Sequence, residues 1–263
     1  MSEMPNGFLA KNTIIEKMNP NTKLLAILSL GISTLLFPSP TLGFGVIVFL
    51  FVVAGFAKML REFSKVVLGF GIPITIMLLF IQGLYSPKNK TMLADFGFAQ
   101  LGLEGVLYAL KIVVTLLVFL GSFFLMNKTT YSGNLVAALT KLGLPGKAGY
   151  LVLASLNVVP QMQRRMSVIR QAQEARGVET QGGLLNRFKA YLPLLGPVVM
   201  SSLIDTQERG MTLETRGFGI KGVSRTTYVE VTKSSIDALA NVILILFLVL
   251  VTVLSLLIRM GIL

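Results

Sequence analysis

Residues 239–258 read Leu239-Ala240-Asn241-Val242-Ile243-Leu244-Ile245-Leu246-Phe247-Leu248-Val249-Leu250-Val251-Thr252-Val253-Leu254-Ser255-Leu256-Leu257-Ile258, twenty consecutive positions without a charge. As an α-helix such a run extends about 30 Å, the thickness of a bilayer's hydrocarbon core. A helix also satisfies its backbone N–H and C=O groups internally, which lipid requires. Leu107–Met126 and Val66–Leu84 are similarly long and apolar, whereas Leu42–Ala57 and Leu24–Phe37 are shorter. Pro38-Ser39-Pro40 divides the two short runs with a helix stop and a turn. These two are expected to form a tight helical hairpin, with a shallow re-entrant pair as the alternative. The fold class that follows is an all-α integral membrane protein of about five transmembrane helices, with a long cytoplasmic insertion between the fourth and fifth.

The rest of the composition agrees. Of 263 residues 53% are apolar and only 14% charged, where a soluble domain carries about a quarter charged. Mean hydropathy is +0.75. There is no cysteine, histidine or tryptophan. That excludes an imidazole base, a thiolate nucleophile, a disulfide framework, and the ordinary zinc, haem and iron–sulfur sites. Carboxylates, Lys, Ser, Thr and Tyr are what remains for chemistry.

The net charge of +12 would suggest nucleic acid in a soluble protein, but in a membrane protein it marks cytoplasmic loops. Near the span ends, Lys11, Lys17, Lys23, Lys58, Arg61, Lys65, Lys128, Lys141, Arg225 and Lys233 fall on one side, against Lys88, Lys90, Lys111 and Arg259 on the other. The excess places the N-terminus and the insertion in the cytoplasm, and the C-terminus and the loop from Tyr85 to Leu103 outside. Four segments result: 1–23 cytoplasmic, 24–126 with four apolar spans, 127–238 the cytoplasmic coupling-helix region, and 239–263 the final transmembrane helix. No secretory signal is expected in residues 1–23, which lack an apolar run.

The insertion holds 14 of the 24 Lys and Arg residues. It opens with the cap-rich Thr129-Thr130-Tyr131-Ser132-Gly133-Asn134, followed by Leu135, Ala138, Leu139 and Leu142 at helical spacing. Gly143-Leu144-Pro145-Gly146 ends that short helix. Two longer helical units follow. In the first, an apolar stretch from Ala148 to Val159 meets Pro160, and Met162, Met166 and Ile169 continue the stripe with Arg164, Arg165, Gln171 and Glu174 on other faces. In the second, Leu184, Phe188, Tyr191, Leu195 and Val199 form the stripe, broken locally by Pro193 and Pro197. Each unit ends alike, in Glu174-Ala175-Arg176-Gly177 and, forty residues later, in Glu214-Thr215-Arg216-Gly217.

One Arg-Gly at a helix end has a purely structural reading, since Arg complements the macrodipole and Gly takes the left-handed cap. Two copies on paired helices point to docking, because Arg enters a partner's groove and pairs with a carboxylate through two parallel donors. Glu174 and Glu214 either orient the neighbouring Arg or contact the partner, or they belong to a solvated face. Met162, Met166, Met200 and Met211 are read either as an adaptable partner surface or as ordinary packing. Gly69, Gly71 and Gly83, and Gly43, Gly45 and Gly55, permit close helix approach, and Pro73 a kink.

The paired Ala175-Arg176-Gly177 and Thr215-Arg216-Gly217 triplets, the Asn19-Pro20-Asn21-Thr22-Lys23-Leu24 start of the first span, and Leu144-Pro145, Pro160, Leu192-Pro193 and Pro197 together resemble the CbiQ-like (EcfT) family, the transmembrane T components of energy-coupling factor (ECF) transporters. The resemblance covers almost the whole chain, and Thr215 stands where the family has Ala. It implies the coupling subunit of a vitamin or micronutrient importer, built with two ABC-type ATPases (EcfA and EcfA′) and a small membrane S component that captures substrate. It implies that Arg176 and Arg216 each dock in one ATPase. This chain would bind no cofactor or metal and catalyse nothing, with ATP–Mg held by the partner ATPases, and the setting would be a bacterial cell membrane.

The residues agree with a non-catalytic reading. Gly143-Leu144-Pro145-Gly146-Lys147 has the wrong spacing for a P-loop. Gly217-Phe218-Gly219-Ile220-Lys221-Gly222 fits Gly-x-Gly-x-x-Gly but follows a helix, so it reads as a flexible exit from the second tip. An ordinary ABC importer permease would need a Glu-Ala-Ala loop where Arg176 interrupts. A secondary transporter would need ionisable groups at the midplane, whereas the only one inside any span, Lys111, lies near an outer end. A nucleic-acid binder would interleave aromatics with the basic residues, and the insertion does not.

Overall fold

The computed structural model describes residues 13–83, 91–95, 100–177, 183–220 and 235–260. Lys11, Lys88, Lys90, Lys221, Arg225 and Lys233 lie outside them, as do the side chains of Leu184, Phe188, Tyr191 and Pro193. The helices are α1 (Ile14–Lys17), α2 (Pro20–Leu36), α3 (Thr41–Phe56), α4 (Leu60–Leu78), α5 (Leu103–Thr129), α6 (Ser132–Lys141), α7 (Gly146–Glu174), α8 (Leu184–Thr215) and α9 (Ser235–Arg259). A five-residue π-helix, Leu79–Gly83, prolongs α4 past Pro73. Among the described residues the strands are those of a small antiparallel hairpin, β1 (Met92–Asp95) with β2 (Gln100–Gly102). Glu104, in the first turn of α5, accepts the Thr91 hydroxyl at 2.7 Å and so ties the hairpin to that helix.

The chain divides into two compact units. The first comprises the described residues up to 138 and those from 235 on, and contains all five apolar helices. Three helical stretches are long and apolar enough to cross a membrane, Leu60–Gly83, Leu103–Thr129 and Ile236–Arg259. At 17 and 16 residues, α2 and α3 are shorter, about 26 and 24 Å long.

The expected α2–α3 hairpin is not tight. The Pro38-Ser39-Pro40 turn joins the two helices, but α2 packs on α5 and α9 while α3 packs on α5 and α4. The cause is α5, the most buried of the three long spans: half of its apolar window is covered, against 11% for α9. Phe63, Val67, Leu50, Ala54, Val118 and Leu125 form the core around it. Phe51 meets the Phe63 ring edge-on, centroids 4.9 Å apart. Gly43 sits against Val114 and Gly71 against Leu117, as close approach requires, but Gly45, Gly55 and Gly69 face nothing within 4 Å. Gly31 against Phe119 and Gly121 against Phe63 are the further close approaches.

One end of this bundle is sewn together by the Asn19–Leu24 motif. Asn19 caps α2 by accepting the Asn21 N–H, Pro20 occupies the first helical turn, and the Asn19 N–H donates to buried Asp237 at the start of α9 (2.9 Å). The Lys23 ammonium donates to the Thr129 carbonyl (2.8 Å) and the Thr130 hydroxyl (3.0 Å) at the end of α5. Burial lowers the Lys23 pKa to about 8, against the opposing pull of Glu16 and Asp237. At the other end the Ser255 hydroxyl donates to the Leu36 carbonyl (2.7 Å). The paired ends make α2 and α9 parallel, with the C-terminus of α5 beside both their starts.

Candidate functional site

The second unit runs from residue 139 through 220 and carries both Glu-x-Arg-Gly tetrapeptides. Its helices are long: α7 has 29 residues and passes through Pro160, and α8 has 32 and passes through Pro193 and Pro197. The local breaks expected at Pro193 and Pro197 are therefore absent from the backbone. Each proline removes one helical donor, yet the flanking turns maintain the helix.

At the first tip α7 ends at Glu174, and Gly177, with φ +85°, closes it by donating its N–H to the Glu174 carbonyl (3.0 Å). At the second, Gly217 has φ +75° and donates to Glu214 (2.9 Å), while the Phe218 N–H reaches back to the Leu213 carbonyl (2.8 Å). That pair of bonds is a Schellman cap, and only glycine adopts its left-handed residue without strain. Both caps leave the preceding arginine outside the helix. Arg176 and Arg216 are exposed, and among the described residues neither guanidinium has an ion-pair partner. Glu174 pairs with Arg170 one turn earlier (3.6 Å). Glu214 is exposed, and the Thr215 hydroxyl bonds back to the Thr212 carbonyl (3.0 Å).

The tips are not brought together. Helices α7 and α8 pair antiparallel: the Tyr150 ring lies 5.0 Å from the Phe218 ring, Gln161 accepts from Arg209 (2.7 Å), and Arg165 forms an ion pair with Asp205. The second tip thus lies beside the start of α7, whereas the first is at its end. About 39 Å of helix contour separates Tyr150 from Arg176.

Arg165 does not sit on an outer face with Arg164; it is half-buried on the side that meets α8. The stripe of α8 is displaced by one residue, since Leu194 and Val198 are buried and Leu195 and Val199 are about half exposed. Because the run from Leu192 to Met200 is apolar nearly all round, periodicity alone cannot select its buried face; the polar residues further on, Ser202, Asp205 and Arg209, continue the line of Leu194 and Val198. Of the methionines, Met162 meets the Ser202 hydroxyl in the crossing, while Met200 and Met211 are exposed. The exit after the second tip is also not loose: Phe218 packs on Tyr150, and Ile220 donates back to Gly217 (3.4 Å). Lys221 and Gly222 fall outside the described residues.

Sequence reasoning did not single out the Arg165–Asp205 pair, although a signal existed. Superposing the two units in the forty-residue register of the tetrapeptides places a cation over an anion at that position. Among the described residues no cluster of three or more carboxylates could hold a metal ion.

The profile of the CbiQ family, described as cobalt transport protein, matches residues 11–229. Among curated relatives, the energy-coupling factor transporter transmembrane protein EcfT of Acidaminococcus fermentans is 26% identical over 91% of this chain and 91% of its own length. The EcfT of Leuconostoc gelidum is 30% identical over 67% of this chain and 70% of its own, and that of Lactococcus lactis 24% over 92% and 94%. The family match takes in α2 to α5 and both arginine tips, and the chain belongs to the CbiQ family of transmembrane T components of energy-coupling factor transporters.

Proposed function

We propose that this chain is the coupling subunit of an energy-coupling factor importer for a vitamin or other micronutrient, and that it transmits ATP-driven motion from two ABC-type ATPases to a membrane S component. The observation that carries the proposal is the pair of matched tips, each an exposed arginine held just before a glycine cap, at opposite ends of one antiparallel helix pair. Two alike tips call for two alike sockets, which a pair of related ATPases supplies. Each Arg enters a socket and pairs with a carboxylate.

The basic insertion and N-terminus face the cytoplasm, where the ATPases and ATP–Mg are, and the C-terminus faces outside. The excess of Lys and Arg beside the starts of α2 and α9 and the end of α5, which share one end of the bundle, supports this orientation. ATP binding draws the ATPases together and moves the tips; the helices behind them pass that movement to the surface that holds the S component. Catalysis and substrate recognition stay with the partners.

Affinity purification from membranes, followed by mass spectrometry, tests the reading. The expected outcome is two ATPases and one or more small hydrophobic membrane proteins. Substrate transport by the purified chain alone would refute it.

A further inference from the structure

We propose that Arg165 and Asp205 are positioning residues, a fulcrum that sets the angle between α7 and α8 and hence the distance between the two arginine tips; the proposal rests on the coupling reading above. Two independent regularities meet at this pair. The register set by the two tetrapeptides, carried back along α7 and α8, relates each residue of α7 to the one forty positions later, and so maps Arg165 onto Asp205. The antiparallel pairing that joins Tyr150 to Phe218 and Gln161 to Arg209 also brings Arg165 to Asp205. A residue whose repeat partner is also its pairing partner lies at the local two-fold axis of the helix pair, and Met162 with Ser202, one turn away, obeys the same relation. The ion pair therefore occupies the centre of a quasi-symmetric device whose ends are the two tips.

Arg176 is eleven residues beyond Arg165, and Arg216 eleven beyond Asp205, so each arm is about 16 Å long. A change of about 10° in one arm's direction displaces its tip by about 3 Å. Equal arms move equally, which suits two ATPases that close symmetrically.

The chemistry of the contact fits this role. Arg165 is half-buried on a helix whose described residues are otherwise mostly exposed, and its bond to Asp205 is directional. Charge pairing at a helix contact fixes register, because sliding one helix by a turn separates the pair. Beside it, the Met162–Ser202 contact (3.6 Å) is soft and tolerates a change of angle. The pair thus prevents sliding and permits rotation.

The chain has no cysteine, so spin labels can be placed at Gln171→Cys and Met211→Cys, exposed positions that correspond under the repeat. The label–label distance is measured in the complex purified with its ATPases, with and without ATP–Mg. Arg165→Asp is expected to broaden the distance distribution at least about twofold and to remove its ATP-dependent shift, while both ATPases still co-purify. The reversed pair Arg165→Asp with Asp205→Arg is expected to restore both width and shift, which a merely structural role for either side chain would not require. Arg165→Gln replaces Arg165→Asp if the latter is not recovered from membranes. The fulcrum is overturned if the single variants match wild type or if the reversed pair stays as broad as they are. If the wild-type chain retains no ATPase, the coupling reading falls and the fulcrum with it; if ATPases are retained and the distances do not respond to Arg165, only the fulcrum falls.

Discussion

The two compact units of this chain are held together by different means. The apolar bundle gathers α2, α3 and α4 around α5, with Phe63 and Val118 fully buried, and closes one end with a buried lysine and a buried aspartate. Among the described side chains the α7–α8 pair has few buried residues and meets through polar and aromatic contacts: Arg165 with Asp205, Gln161 with Arg209, Tyr150 with Phe218. Close packing resists deformation, because each displaced side chain meets a neighbour. A crossing held at a few points can change angle while its helices stay intact. The first arrangement suits a scaffold and the second a lever.

The sharpest way to break this comparison is to remove the lever's ends. Arg176→Glu with Arg216→Glu is expected to weaken ATPase binding at least about 30-fold, since losing one partner of a desolvated charge pair costs about 2–5 kcal/mol. Co-purification and uptake both report it, and the bundle's melting temperature stays unchanged. Wild-type uptake by that double variant would sink the docking proposal.

Next in size is an attack on the scaffold. Lys23→Met leaves the Thr129 carbonyl and the Thr130 hydroxyl without their donor at a cost of about 1–3 kcal/mol. We expect the apparent melting temperature to fall by roughly 3–10 °C, with ATPase retention preserved. A variant that melts like wild type would show that the motif's lysine contributes nothing to the bundle.

A smaller effect separates the two tips. Phe218→Ala removes the ring that packs on Tyr150, worth about 1 kcal/mol. Hydrogen exchange at the amides of Gly217 and Phe218 should speed up about fivefold while Gly177 is unaffected. Equal acceleration at both tips would mean that the brace is shared.

The smallest expected effect is that of pH on the bundle. Lys23 has a folded pKa of about 8, below the ordinary value of 10.5. Between those values the unfolded chain binds more protons than the folded one, so stability rises with pH across that window. From pH 7.5 to 8.5 the gain is about 0.7 kcal/mol, and it is absent in Lys23→Met. A wild-type chain that loses stability over this range would contradict the burial of a charged Lys23.

Features carried by local chemistry were legible before any coordinates. Gly177 and Gly217 announce left-handed helix ends, since that backbone region is closed to most other residues. The Thr13-x-x-Glu16 capping box of α1 was equally local, although the sequence reading passed over it. The buried face of α8 was not legible, because Leu194, Leu195, Val198 and Val199 are alike in hydrophobicity and only the neighbour that covers two of them distinguishes the pairs. The packing of the α2–α3 hairpin was not legible for a related reason: the Pro38-Ser39-Pro40 turn says that two helices are adjacent in the chain, whereas a third helix decided what each of them packs on.

The sequence by itself determined that the chain is a helical membrane protein, the uneven placement of its charge along the chain, and the two arginine tips with their caps. Each of these depends on residues within one or two helical turns or on whole-chain composition. Tertiary structure alone decided that Lys23 reaches Thr129 across 106 positions, that α5 is the hub, and that α7 and α8 cross at Arg165 and Asp205. Those contacts join distant segments, and their energy depends on which surfaces meet, a quantity that local spacing does not contain.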